Sequence, residues 1–219
     1  MTKKHTLFIL FNFLLLVACE SAQEKTNRLK LEEQARKELE AERIEQQERL
    51  QAEQNRIEQE RIKAEEVERK AQELYNRYIN NSLANGATPY STCFGGNQPC
   101  TEWGCSEIKV QGPPNSDVLV TIKSGNRVIR HAYIRAGYSY TFQLPNGEYQ
   151  PFSYYGKGWN PEKEMPSEIC ENLKGGFIAD SQVGKDDPQT LNNDVLSYSL
   201  ILQQSGNFST RPSSESEAF

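Results

Sequence analysis

Val118-Leu119-Val120-Thr121-Ile122, followed by Tyr138-Ser139-Tyr140-Thr141-Phe142-Gln143-Leu144-Pro145-Asn146-Gly147, decides how the second half of this chain folds. Side chains of a strand point alternately to its two faces, so an apolar residue at every second position marks a strand with one buried face. Tyr138, Tyr140, Phe142 and Leu144 alternate with Ser139, Thr141 and Gln143, and Val118, Val120 and Ile122 alternate with Leu119 and Thr121. Ser124-Gly125-Asn126 predicts a turn, Arg127 to Arg135 the returning strand, and Pro145-Asn146-Gly147 a second turn from which Glu148 to Tyr155 continues a meander. Leu196, Tyr198, Leu200 and Leu202 alternate once more. Short strands separated by turn residues predict an antiparallel sandwich of about seven strands.

Upstream the pattern changes completely. From about Glu24 to Ile79 there is no Gly or Pro, and Glu, Gln, Arg, Lys and Ala dominate, which predicts one continuous helix. Glu33 and Lys37, Glu45 and Arg49, Glu65 and Arg69, and Glu66 and Lys70 stand four apart with the acid first, each pair contributing about 0.2–0.5 kcal/mol. Leu50, Ile57, Ala64, Ala71 and Tyr78 form a seven-residue ladder with Val67 and Leu74 at the three-residue offset, whereas Glu53 and Glu60 occupy positions that a coiled coil fills with apolar residues. Two readings stand: a single helix held by charge pairs, or a coiled coil zipped towards its C-terminal half, giving a homo-oligomer through the stalk. The fold class is thus a long charged α-helix, alone or as a partial coiled coil, followed by an all-β antiparallel sandwich domain.

The start of the chain speaks to location. Lys3-Lys4-His5 precedes an apolar run from Leu7 to Ala18 interrupted only by Asn12, and the run ends in Leu16-Val17-Ala18-Cys19. It is shorter than the roughly 20 apolar residues of a permanent membrane helix, and its charged front and small residue before the break are those of a secretory signal. These residues resemble the lipobox of bacterial lipoproteins. The resemblance implies that Cys19 receives a diacylglyceryl thioether and becomes the acylated first residue of the mature chain, fixed in the cell envelope by its acyl chains. Glu20 stands where an Asp favours inner-membrane retention in enteric lipoproteins, which leans towards the outer membrane. An ordinary signal peptide cut beyond Cys19 is the alternative. Val118 to Ile122 together with Phe142 to Tyr149 is similar to prealbumin-like modules, the carboxypeptidase regulatory and PEGA domains, which set an extended strand before a Pro-x-Gly-x-Tyr turn. That similarity implies a non-catalytic β-sandwich accessory module.

The expected organisation is a signal peptide at 1–18, a lipid-anchored helical stalk at 19–82, a cysteine-rich loop at 83–105, the β-sandwich at 106–204 and a Ser-rich disordered tail at 205–219. Net charge is −5 with 36% hydrophobic residues and a mean hydropathy of −0.75, and no block of Lys and Arg stands alone, so nucleic acid is not an expected partner.

Cys93, Cys100, Cys105 and Cys170 are four thiols in an exported chain, which suggests two disulfides, one within the loop and one to Cys170. Zinc is the competing reading, but the C-x₂-C pairs of Cys₄ sites are absent. Tyr154, Tyr155 and Trp159, in a stretch with Gly156 and Gly158, offer stacking faces for a saccharide or peptide, or else cap the end of the sandwich. Asp180, Asp186, Asp187 and Asp194 with Asn192 and Asn193 supply hard oxygen ligands without the spacing of a calcium loop, and a solvated connection fits them better. His131 is the only imidazole after Cys19, mid-strand, where a structural or surface role suits it better than a base. No nucleophile elbow occurs, and no motif asks for a cofactor or a metal. The functional expectation is a non-catalytic envelope protein presenting a β-sandwich to an envelope protein or glycan. The competing expectations are a periplasmic spacer between outer membrane and cell wall, and an accessory binding domain of an envelope enzyme system.

Overall fold

The computed structural model describes residues 22–101, 104–167, 169–201 and 211–219. Cys19 and the signal segment lie outside the described residues. Two compact units divide the chain between Val67 and Glu68.

Helix α1, Ala22–Tyr78, is continuous over 57 residues, and none of them is buried. Its stability is therefore local, drawn from propensity and side-chain pairs rather than from packing. Glu33–Lys37 and Glu45–Arg49 pair as the spacing predicts. Glu65 instead meets Arg61, and Arg69 meets Glu73, so here the base precedes the acid. A long guanidinium reaches one turn in either direction, and such exposed pairs differ little in energy. Among the described residues no helix is long and apolar enough to cross a membrane.

The rest is β-rich. Strands β1 (Cys105–Gln111), β2 (Asp117–Ser124), β3 (Arg127–Ile134), β4 (Ser139–Pro145), β5 (Gly147–Glu164), β6 (Lys174–Lys185), β7 (Gln189–Leu191), β8 (Val195–Ser199) and β9 (Arg211–Pro212) follow in order. A three-stranded sheet runs β4-β1-β8, a larger one β3-β2-β5-β6-β9, and β7 pairs with the start of β5. Ser124-Gly125-Asn126 does join β2 to β3 as a hairpin.

Two expectations change here. The strands are not all antiparallel, since β8 lies parallel to β1. A long connection separates the two, and only a tight hairpin would oblige them to be antiparallel. Nor is Pro145-Asn146-Gly147 a meander turn, because β4 belongs to the small sheet and β5 to the large one. Asn146 holds this crossing: its amide nitrogen donates to Asn192 Oδ1, and its Oδ1 accepts from Ser106 Oγ and the Asn193 N–H at 2.8 Å each.

Alternation sorts the side chains of the larger sheet into two cores. Val118, Val120 and Ile122 of β2 join Ile108, Phe142 and Leu144 of the small sheet in one cluster. Leu119 of β2, Tyr133 of β3 and Phe152 and Tyr154 of β5 face the other way, into a second cluster with Trp159, Phe177 and Phe219. The larger sheet is thus covered on both faces.

The second face is covered by segments without a strand pattern. Residues 79–101, which include the short helix α2 (Ser91–Phe94), lie along the edge of β3, where Gly86 N–H donates to Tyr133 O and Tyr133 N–H to Ala87 O, each at 2.7 Å. The expected cysteine-rich loop is therefore part of the core, with Tyr90 only 1% exposed. Residues 211–219 are not the free tail the serines suggest: Arg211–Pro212 adds to β6, and helix α3 (Glu215–Ala218) leads to Phe219, 1% exposed. Phe219 is worth more buried than solvated, which outweighs the polar composition around it.

Where α1 ends, Asn81 bonds to β5 through both its backbone and its side chain: Trp159 N–H donates to Asn81 O at 2.9 Å, and Asn81 Nδ2 donates to Trp159 O. Gly158, at φ +68°, makes room, because a Cβ there would stand 2.7 Å from both Ile79 Cα and Tyr78 O. Both obstacles are backbone. Gly158→Ala should cost about 2–3 kcal/mol of stability, combining a left-handed alanine with displacement of the chain after α1. Chemical denaturation of the two proteins, compared at equal slope, measures it.

Candidate functional site

The face of the larger sheet that carries the second cluster brings together Tyr154, Trp159, Cys93 and Cys170, while Tyr155 of the same strand faces the first cluster. Tyr154, Tyr155 and Trp159 are 1%, 7% and 2% exposed, so as ligand contacts they are corrected: none presents its ring to solvent. The glycine-bearing stretch that suggested a loop is the middle of β5, bulged between Tyr155 and Lys157. Trp159 stands edge-on to Tyr133 at 5.4 Å and to Phe177 at 5.3 Å. Tyr154 Oη accepts the Phe177 N–H at 3.1 Å and a hydrogen bond from Lys163 Nζ at 3.0 Å. Buried rings with their polar edges satisfied are a core arrangement.

His131 sits in the same layer, fully buried on β3. Its Nε2 accepts the Tyr90 N–H at 3.0 Å, which leaves the proton on Nδ1, an atom without a hydrogen bond of standard geometry. Burial pushes the imidazole down to about 4, a fall that the Thr88 backbone opposes in part. With its one lone pair already engaged, the ring has nothing left with which to take a proton from a nucleophile. Burial likewise raises the Tyr90 phenol, and the neighbouring Tyr154 and Glu215 side chains add to it.

The cysteines form two pairs, Cys93–Cys170 and Cys100–Cys105, with Cα–Cα distances of 6.0 and 5.9 Å. The first ties the cover of the second core to the connection between β5 and β6, across 77 residues of sequence. The acidic residues are dispersed. Asp180 lies within β6 against Lys157 at 3.0 Å, Asp187 meets Arg211 at 3.1 Å, and Asp194 accepts the Asn192 N–H at 2.8 Å. Among the described residues no group of three or more His, Cys, Asp or Glu is gathered as a metal centre.

Beside the buried layer, a cavity of about 270 Å3 opens between Lys123, Asn126, Ile169, Ser216, Glu217 and Phe219. It lies where α3 meets β2. At the other end of the sheet a carboxylate network holds the chain that leaves α1: Asp117 accepts from Tyr133 Oη, from Ser82 Oγ at 2.8 Å and from the Ala136 N–H at 2.8 Å. Sequence reasoning missed Asp117, Tyr90 and Phe219. Asp117 opens a strand and had no motif, and Tyr90 and Phe219 lie in stretches without periodicity. Their only signal was a large aromatic in an otherwise polar neighbourhood.

Two measurements test this placement. Trp159→Ala should lower stability by about 3–5 kcal/mol, as loss of a buried indole does, and thermal melting would register it without any ligand present. The pH dependence follows from His131. Its folded pKa lies below the ordinary value of about 6.5, so the unfolded chain binds the proton first, and stability is present above about pH 6.5 and drains away towards pH 4. The loss is on the order of 3 kcal/mol and should be smaller in His131→Gln, as urea midpoints at pH 7 and pH 4.5 would show.

No protein-family model, no curated protein and no solved structure matches this chain.

Proposed function

We propose that the chain is a lipid-anchored cell-envelope protein, more of the outer membrane than the inner, that displays a β-sandwich interaction module on a helical stalk and acts by binding. The observation that carries this reading is α1, which has 57 residues and no buried side chain. A helix of that length spans about 85 Å at about 1.5 Å per residue. Such an element gives reach, and its fully solvated surface is what a spacer needs.

Cys19 stands three residues before Ala22, where α1 begins. In this reading its acyl chains lie in the membrane, each buried CH₂ contributing about 0.8 kcal/mol. The three- and six-element sheets then pack as a sandwich around the core that Ile108, Val118, Val120 and Phe142 share. The exposed apolar ladder at Leu50, Ile57, Val67 and Leu74 supports pairing of α1 with a second copy as a partial coiled coil. A binding role, rather than catalysis, is supported by His131 having its lone pair engaged and its ring buried. The partner is an envelope protein or glycan.

Cys19→Ser should move the protein from the membrane fraction to the soluble one. Intact mass of the native protein should carry the added diacylglyceryl and acyl groups on a chain beginning at Cys19. An unmodified amino terminus with free solubility would remove the tether and display with it.

A further inference from the structure

The segment Arg211–Phe219 engages the domain as a bound peptide does. It adds a strand to the sheet edge, with Gly184 opposite Pro212, Lys185 opposite Arg211 and the Ser213 N–H donating to Val183 O at 3.0 Å. It then turns through α3 and inserts one aromatic anchor. Phe219 stands edge-on to Tyr90 at 5.2 Å and to Tyr154 at 5.6 Å, 1% exposed. Strand addition followed by a single buried side chain is a recurring way of holding short peptides.

The charges are divided between the two sides. The domain supplies Lys163 to Glu215 at 3.3 Å, Lys185 to Glu217, and Lys123 to the Glu217 carbonyl at 2.7 Å. The segment supplies both glutamates, and at its start the signs are reversed, with Arg211 of the segment on Asp187 of the domain at 3.1 Å. Side-chain hydroxyls of the domain hold its last carbonyls: Thr121 Oγ1 donates to Ala218 O at 3.1 Å and Ser167 Oγ to Phe219 O at 2.7 Å. The segment also carries its own preorganisation, since Ser214 Oγ accepts the Glu217 N–H at 3.2 Å and Ser213 Oγ donates to Glu217 at 2.7 Å. A ligand that holds its bound shape alone loses less on binding.

We infer that the face formed by β2, β5, β6 and Tyr90 is a recognition groove for acidic peptides that enter as a strand on β6 and anchor by a phenylalanine, and that Arg211–Phe219 is its resident occupant in cis. Acidic charge is read by the three lysines, the aromatic by Tyr90 and Tyr154, and the direction of the peptide by the β6 edge. The segment adds only the two residues of β9 to the sheet, and its Arg211–Asp187 pair is exposed, so in this inference it opens without global unfolding. A competing peptide in trans then meets a groove already filled at a high effective concentration. The inference is independent of the anchoring of Cys19.

The probe is the labelled nonapeptide Arg-Pro-Ser-Ser-Glu-Ser-Glu-Ala-Phe, titrated by fluorescence anisotropy into the full chain with both disulfides formed. Phe219→Ala, which empties the anchor pocket, should bind it saturably with Kd on the order of 10 µM. The unaltered chain should bind at least about tenfold more weakly, because its own segment competes. A peptide whose terminal Phe is replaced by Ala should lose binding to the variant. A folded Phe219→Ala protein showing no saturable binding up to about 1 mM overturns the groove. Should that variant fail to fold, hydrogen exchange on the unaltered chain decides. Amides of 211–219 exchanging about a hundredfold faster than those of Leu119 and Tyr154 support a separable occupant, and equal rates make the segment part of the core and overturn the inference.

Discussion

The larger sheet is apolar on both faces, and everything else in the domain answers that constraint. In β2 the run from Val118 to Ile122 is buried without a break. A strand of that kind cannot leave one side to water without exposing Leu119, and with it Tyr133 and Phe152 of its neighbours. The small sheet takes one face. The other is closed by polypeptide with no regular pattern, from 79–101 on one side and 211–219 on the other. Because neither cover is a sheet or a long helix, each has to be fixed by particular bonds: the Gly86 and Ala87 pairing with Tyr133, the Tyr90 N–H on His131, and the Cys93–Cys170 bridge.

The two disulfides differ in what they can contribute. In the chain-entropy picture a bridge closing a loop of 77 residues is worth about 4.5 kcal/mol, whereas one closing five is worth about 2. The long bridge is the one that clamps an aperiodic cover to the connection between β5 and β6. The short one shapes the approach to β1, whose first residue is Cys105. The stronger constraint therefore falls where regular hydrogen-bonding gives least help. The Asp117 network serves a similar end at the junction with α1: one half-buried carboxylate collects three donors from 82, 133 and 136.

How much of this was legible in the sequence depends on the range of the forces involved. The helix was readable almost to its ends, Ala22 and Tyr78 against an expected 24 and 79, since its stability comes from residues three and four apart. Strands β2, β3 and β4 were readable because alternation is also local. Their assignment to sheets was not: the same Pro145-Asn146-Gly147 turn serves a hairpin or a sheet change, and what decides is Asn146 meeting Ser106 and Asn193, 40 and 47 residues away. Tyr154 and Trp159 could be read as a ligand surface or as packing, because glycines and aromatics carry the same letters in an open loop and in a bulged central strand, and burial selects packing. A serine-rich end reads as disordered on composition, yet for 211–219 one phenylalanine fitted between Tyr90 and Tyr154 reverses it, 205–210 lying outside the described residues.

That contrast of ranges separates the two units physically. In α1 the ion pairs are more than half exposed, so each is small and screened by salt, and losing any one pair along the rod costs little. Its apolar residues, Leu50 and Ile57 among them, contribute nothing until another surface covers them. In the domain the decisive contacts join residues far apart in sequence: Asn81 with Trp159, Thr121 with Ala218, Cys93 with Cys170. Removing one side of such a contact leaves a buried partner unsatisfied or a cavity open, which is the costly kind of loss. The helix is thus free to vary in composition as long as it remains helical, whereas the β-rich domain is held to particular side chains at particular places.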